Sequence, residues 1–478
     1  MNVFSVTLII LSVLVGVAIA VAGTYFSKKK MANNEAYFTA GRNISTGFMT
    51  ASFIAYAVGT GLIFSPGEMA YLSGVTAMIG YAFAISLAYV VFVPVSKKIK
   101  TLIPQGHTIG EYTNIRYGKF MYIVSLAVSI IYMFILFVSN MIGAAIMFKY
   151  VAGVPMVLSV VVVGIPTIYF AAFGGVGAAI FTSGIQSLLI TPLLFVPALL
   201  CVFDIGGISR VYARLMDVSP SFLAVFDKGG MEFAIMIIIA VMAAELLNQT
   251  LWQRIYTAVD HKVVKKSLLS AAVMIFPMTI IAASMGLFSA GLGVQVPHTS
   301  IATGMAVNAV LPPWAMMVFC LEGVIASSST GGDALSGFAS IISIDVARPY
   351  AKYKNKTLTD HNAVVIGRIG AIVVGAAGLI VAYFEPSVLK TLLLADLLAS
   401  AAVVPTLLGL YSKKVTGTGA AVATLCGIAI GMPFYIKGSS LPSFGFALLV
   451  STAIVLVSMK FSKKDFDFRS LRDEITEI

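Results

Sequence analysis

Charge is scarce in this chain. Asp, Glu, Lys and Arg make up 11% of its 478 residues and hydrophobic residues 59%, against roughly 25% charged in a soluble domain, so a surface wetted all round is excluded. Cysteine is scarcer still: Cys201, Cys320 and Cys426 sit in separate apolar runs with no metal-ligand spacing, which excludes a disulfide framework and leaves them as packing residues. The four histidines, His107, His261, His298 and His361, fall in loops and form no metal or proton-relay cluster. Stretches outside the apolar runs are short, so neither a soluble catalytic domain nor a signalling domain is expected. No clustered nucleophile or acid–base pair argues for an enzyme.

Long apolar runs are what the sequence has in abundance. A hydrocarbon layer about 30 Å thick takes roughly 20 residues of helix, and about thirteen such runs follow one another between Phe4 and Met459. They predict an all-α membrane protein. The first run, Phe4 to Phe26, has Lys28, Lys29 and Lys30 behind it and no basic flank before it, the reverse of a cleavable signal peptide, so it is expected to stay as an anchor. With the N-terminus outside, every basic residue except Lys149, Arg210, Arg214, Lys228, Lys390 and Lys437 falls on the cytoplasmic side. That asymmetry predicts an odd number of spans in the cell membrane, with the C-terminus inside. The net charge of +11 is thereby topology and not nucleic-acid binding.

Several spans carry polar or helix-breaking residues at their centres. The second, Ser45 to Tyr71, contains Gly59, Gly61, Pro66 and Gly67, and carbonyls freed there are tolerated only where they face protein, ions or a wet cavity. The ninth, Pro313 to Ser343, holds an unbroken polar stretch from Ser327 to Asp333. If spans two to six and seven to eleven are two halves, each has five crossings and the halves lie in opposite orientations, the inverted-repeat layout of secondary transporters. The expected division is an N-terminal helix and cytoplasmic loop (1–44), a first repeat (45–204), an external loop (205–231), a second repeat (232–411), two extra helices (412–460) and a cytoplasmic tail (461–478).

The cytoplasmic flanks carry recognisable segments: YFTAGRNIS from Tyr37, HTIGEYTNIRYGK from His107, FGGVGAAIFTSGIQ from Phe173 and NQTLWQRIYTAVDHK from Asn248, followed by IISIDVARPY after the polar ninth span. In this order and at these membrane sides they resemble the sodium/solute symporter family, with the GR and HT…EY…RYG segments nearest its urea and polyamine branch. The resemblance implies a LeuT-type core of ten helices whose first and sixth members break around the solute. It implies a sodium site made of the carbonyls of Ile54, Ala57 and Ala326 and the hydroxyls of Ser329 and Thr330. The residues support this independently: Ala326, Ser329 and Thr330 stand at i, i+3 and i+4, one face of one helix, and neutral oxygens suit a small hard cation. Small hydroxyl residues as interhelical glue are the bland reading.

Members with an additional cation site carry an aspartate where this chain has Ser183, and a hydroxyl where it has Asp333. The acid is expected to have changed sides, so that Ser183 and Asp333 form a second cation site; a protonated or hydrated structural acid is the other reading. An uncompensated carboxylate at midplane costs several kcal/mol, so Asp333 is expected beside a cation, a proton or a basic partner. By the same resemblance Glu245 neighbours the solute, with Gly61, Val241 and Ala244 around it, and its sign favours a cationic or amide-bearing solute. Glu68 and Glu322 fit an external vestibule equally well, and Asn140 and Gln186 fit interhelical hydrogen bonds. Arg42, Arg116 and Arg254 are expected to anchor helix ends at the headgroups and inner gate. The function implied is sodium-coupled import of a small polar organic solute. A proton-coupled permease of the same fold is the nearest alternative, because Asp333 could carry a proton.

Overall fold

The structure, a computed structural model, describes residues 1–30, 34–462 and 465–475, apart from the side chains of 26–30 and 34–36. The basic side chains expected at Lys28 to Lys30 and at Lys463 and Lys464 therefore lie outside the described residues. Apart from an isolated bridge between Ile44 and Ala258, the described residues form helices and their connections.

The principal helices are α1 (Val3–Lys30), α2 (Thr46–Ala57), α3 (Thr60–Leu102), α4 (Lys119–Ala152), α5 (Met156–Ile205), α6 (Lys228–Leu246), α7 (Gln249–Thr257), α8 (His261–Gly291), α9 (Pro313–Ser340), α10 (Asp360–Tyr383), α11 (Val388–Leu407), α12 (Gly417–Ile436) and α13 (Ser440–Lys460). Eleven are long and apolar enough to cross a membrane. Two are too long for one crossing: α3 has 43 residues and α5 has 50, roughly 65 and 75 Å at 1.5 Å per residue against about 30 Å of hydrocarbon. Each divides at a glycine in the left-handed region, Gly74 (φ 75°) and Gly175 (φ 68°). With α2–α3 and α6–α7 each forming one broken segment and α3 and α5 each divided in two, the described residues supply thirteen segments of membrane-crossing length, the number the hydropathy predicts.

The turn at Gly74 needs its glycine for two separate reasons. Positive φ costs an L-residue about 1–2 kcal/mol, and a Cβ at Gly74 would also lie 2.5 Å from the carbonyl oxygen of Phe222. Gly74→Ala is therefore expected to lower stability by at least that amount, read as an earlier thermal unfolding of the detergent-solubilised protein. Unfolding unchanged from the parent would show that the turn does not need its glycine.

Burial sorts the helices into centre and rim. In their most apolar windows α9 and α11 are 78% buried, whereas α1, α10 and α13 are 28% buried, so the first pair is enclosed by protein and the others face lipid. Helix α8 runs along α3, and α9 packs against α4 and α5. The polar stretch of the ninth run is thus laid into the centre, where only protein, an ion or water can meet it.

Candidate functional site

The site is built on two helix breaks. Helix α2 stops at Ala57; Val58 and Gly59 leave helical geometry, and α3 begins at Thr60. The freed N-terminus of α3 is capped from across the bundle, since the Thr60 backbone N–H donates to Asn140 Oδ1 at 3.0 Å and its hydroxyl donates to the Asn140 carbonyl at 3.0 Å. Asn140 is held for this by its own amide, which donates to the Leu136 carbonyl at 2.8 Å. Gly59 admits no side chain: a Cβ would lie 2.5 Å from Thr330 Oγ1 and 2.6 Å from Asn140 Oδ1.

The second break repeats the device. Leu247 and Asn248 separate α6 from α7, and Asn248 Oδ1 accepts from the Thr250 N–H at 2.9 Å, an N-cap. The Trp252 indole donates to the carbonyl of Leu246 at 2.9 Å, satisfying the end of α6. The Asn248 amide donates to the Tyr56 hydroxyl, so the two breaks are tied to each other.

Helix α9 closes the site. Its Thr330 hydroxyl donates to the Tyr56 carbonyl at 2.8 Å and lies 3.5 Å from that of Ala55, between the two carbonyls predicted from the sequence, Ile54 and Ala57. The Ile54 carbonyl already accepts from the Val58 N–H at 2.9 Å, which leaves it one lone pair. Ser329 Oγ lies 3.2 Å from Ser183 Oγ of α5, and Ala326 is fully buried one turn earlier on α9. The end of α2 and the Ala326 to Thr330 turn therefore lie side by side, and the oxygens they offer are uncharged.

Asp333 has a charged neighbour from another crossing. Arg254 of α7 places a guanidinium nitrogen 2.5 Å from its carboxylate, with the two side chains 3% and 2% exposed. The same guanidinium donates to Ser52 Oγ at 3.0 Å and to the Thr250 carbonyl at 3.2 Å, and stacks on Tyr56 at 5.1 Å from the ring centre. Arg254 is thus no headgroup anchor, because the break in the seventh crossing turns α7 into the bundle. A basic partner is one of the three neighbours expected for Asp333. Arg116 is also enclosed: 4% exposed, it donates to the carbonyls of Gly409, Ser412 and Val415. Arg42 donates to the carbonyls of Pro104, Gln105 and Gly106.

Beside the breaks lies a cavity of about 70 Å³ whose wall includes Ala57, Gly61, Val241, Ala244, Glu245 and Thr330. The structure brings these predicted residues round one space; Ile54, Ala326, Ser183, Ser329 and Asp333 stand behind the wall. Sequence reasoning missed Tyr56, Tyr81, Tyr132 and Asp396, which also line it. Asp396 had a signal: it is an acid inside the apolar run LLLADLLAS, and an ionisable residue at membrane depth is a functional candidate by default. The tyrosines had none, because aromatic residues are ordinary in such helices.

Hydrogen bonds tie the bundle together on either side of the cavity. On the Gly74 face, Glu68 accepts hydrogen bonds from Thr299 (2.5 Å), Ser300 (2.6 Å) and Ser387 (3.0 Å), tying α3 to the 292–312 loop and to α11. On the opposite face Lys100 donates to the carbonyls of Tyr256 and Ala258, and Thr108 donates to Asp345 at 2.7 Å. Glu322, by contrast, is fully buried in α9 with both carboxylate oxygens unpartnered, and lines no vestibule. Glu68→Gln removes the charge from three charge-assisted bonds, worth about 1.5–3 kcal/mol each in charged form. It is expected to make a cysteine placed at Gly61 react faster with a water-soluble thiol reagent; an unchanged rate would deny Glu68 the part of a latch.

The chain matches the family model described as Sodium:solute symporter family over residues 37–427. It is 21% identical to the urea-proton symporter DUR3 of Oryza sativa subsp. japonica, over 84% of this chain and 60% of that protein, so it spans about three fifths of that relative's length. It is also 21% identical to the sodium/glucose cotransporter of Vibrio parahaemolyticus, over 95% of this chain and 88% of that one. Among solved structures, a Na+-coupled sialic acid symporter in a substrate-bound outward-open state aligns with a TM-score of 0.75 at 16% identity, covering 96% of this chain and 98% of that one. The likeness gives the fold, a LeuT-type core of two inverted five-helix repeats with extra helices at both ends.

Proposed function

This chain belongs to the sodium:solute symporter family, and on that premise we propose that it is a sodium-coupled symporter that imports a small polar organic solute by alternating access. The observation that carries the reading is the Thr330 hydroxyl standing 2.8 Å from the Tyr56 carbonyl, where α2 breaks. Rotating that hydroxyl away from the carbonyl frees both oxygens for one dehydrated ion, with Ile54, Ala57, Ala326 and Ser329 completing the shell. Bound there, sodium ties the broken crossing to α9 and shapes the adjoining cavity, so solute binds best to the sodium-loaded protein. Coupling is that difference in affinity.

Asp333 does not hold a second ion in this reading. Arg254 is a tethered cation on Asp333, and one sodium moves per cycle. One charge falling through 100 mV gives about 2.3 kcal/mol and a tenfold sodium gradient about 1.4, together sufficient for several hundredfold accumulation of a neutral solute. The charge asymmetry of the loops supports an N-terminus outside and a C-terminus in the cytoplasm, which makes the Glu68 latch external and the Lys100 and Asp345 contacts internal. The repeats are assigned to 45–204 and 232–411, each opening on a broken crossing.

Reconstitution in proteoliposomes tests the reading. A sodium gradient is expected to drive solute accumulation, with a Hill coefficient for sodium near one. Accumulation driven by a proton gradient in sodium-free buffer would replace sodium by a proton and leave the fold's transport role intact.

A further inference from the structure

The charge balance of the central cavity bears on what the solute is. Two carboxylates line it, Glu245 from the last turn of α6 and Asp396 from α11, and no Lys, Arg or His shares the wall. Asp396 is 6% exposed, and its side chain makes no hydrogen bond or ion pair among the described residues. Glu245 has a buried carboxylate oxygen with no partner. Arg254, the cation nearest to hand, is already committed to Asp333, Ser52 and the Thr250 carbonyl. The cavity therefore offers two acids with no base beside them, and because an unpaired carboxylate in such a setting costs several kcal/mol, a cation entering between them is what lets them ionise.

The remaining walls are equally specific. Tyr81 and Tyr132 contribute rings, whose faces are negative and attract cations within about 6 Å; the Tyr56 ring is taken by Arg254. The space, about 70 Å³, is that of a small solute. An anion would meet two like charges. A neutral solute would leave both carboxylates without a countercharge.

We propose that the transported solute is a small organic cation, whose ammonium group sits between Glu245 and Asp396 against the faces of Tyr81 and Tyr132. This rests on the symport reading and completes its charge arithmetic: sodium at Thr330 and the ammonium together balance the two carboxylates, so the loaded centre is neutral. Each cycle then carries two positive charges inward, and the membrane potential acts on the solute as well as on sodium.

The test uses the full-length chain in proteoliposomes under an inward sodium gradient, with labelled ethanolamine, choline, 1,4-diaminobutane, urea and acetate as probes. At least one of the three amines is expected to accumulate, and Asp396→Asn and Glu245→Gln each to raise its KM about thirtyfold or more. Amine uptake with KM unchanged in both variants overturns the site. Sodium-driven uptake of urea or acetate, with no amine transported, overturns the cation and leaves symport standing; amine uptake indifferent to sodium keeps the cation and overturns the coupling. Where a variant does not fold, the parent decides: amine chlorides are expected to raise its melting temperature above that in sodium chloride of equal ionic strength. Failure of all three to do so overturns the proposal.

Discussion

Asp333→Asn is expected to destabilise the protein by about 3–5 kcal/mol, the usual result of removing one partner from a buried ion pair. The substitution leaves the Arg254 guanidinium 3% exposed, with only Ser52, the Thr250 carbonyl and the Tyr56 ring to receive its charge. Thermal unfolding in detergent measures the loss. Adding Arg254→Gln removes the stranded charge and is expected to restore much of it, because a pair deleted together costs less than a pair broken. Arg254→Gln alone has a sharper consequence. It leaves Asp333 beside Ser183 and Ser329 with its countercharge gone, so sodium should now stabilise the variant more steeply than the parent, and the Hill coefficient of uptake should rise above one. An Asp333→Asn protein as stable as its parent would show that the pair is not the neutralising contact drawn here.

Thr330→Val carries the second large effect. Valine keeps the shape but has no oxygen for the Tyr56 carbonyl or for an ion, and a hydrogen bond or ligand oxygen to a charged group is worth about 1.5–3 kcal/mol. Apparent sodium affinity should fall about 10- to 150-fold, with the folded yield little changed, since Thr330 is 4% exposed and valine fits its volume. Uptake measured against sodium concentration decides it. The bland reading, a hydroxyl that only glues α9 to α2, predicts lost stability with an unshifted sodium midpoint instead.

How far the sequence alone reached is clearest at particular residues. The break at Gly59 and the polar face of α9 were legible because glycine, proline and hydroxyl groups at membrane depth have few purely structural uses. Ala326, Ser329 and Thr330 could be grouped because helical spacing is local. The partnership of Arg254 with Asp333 could not be read. Arg254 lies one residue past the predicted end of its span, 79 positions from its partner, and its basic flank looked like any cytoplasmic helix end. Only the turn of α7 after Asn248 brings it inward. Asp396 was missed although it is an acid inside an apolar run, and nothing in its own helix says that it shares a wall with Glu245.

Hydropathy determined by itself that this is an all-helical membrane protein, because the cost of bare backbone in hydrocarbon leaves a run of twenty apolar residues little choice but a spanning helix. The tertiary structure decided which charges cancel and which remain open to a ligand. That depends on distances between side chains from different helices, and Coulomb energies in a low-dielectric interior are set by those distances and not by order along the chain.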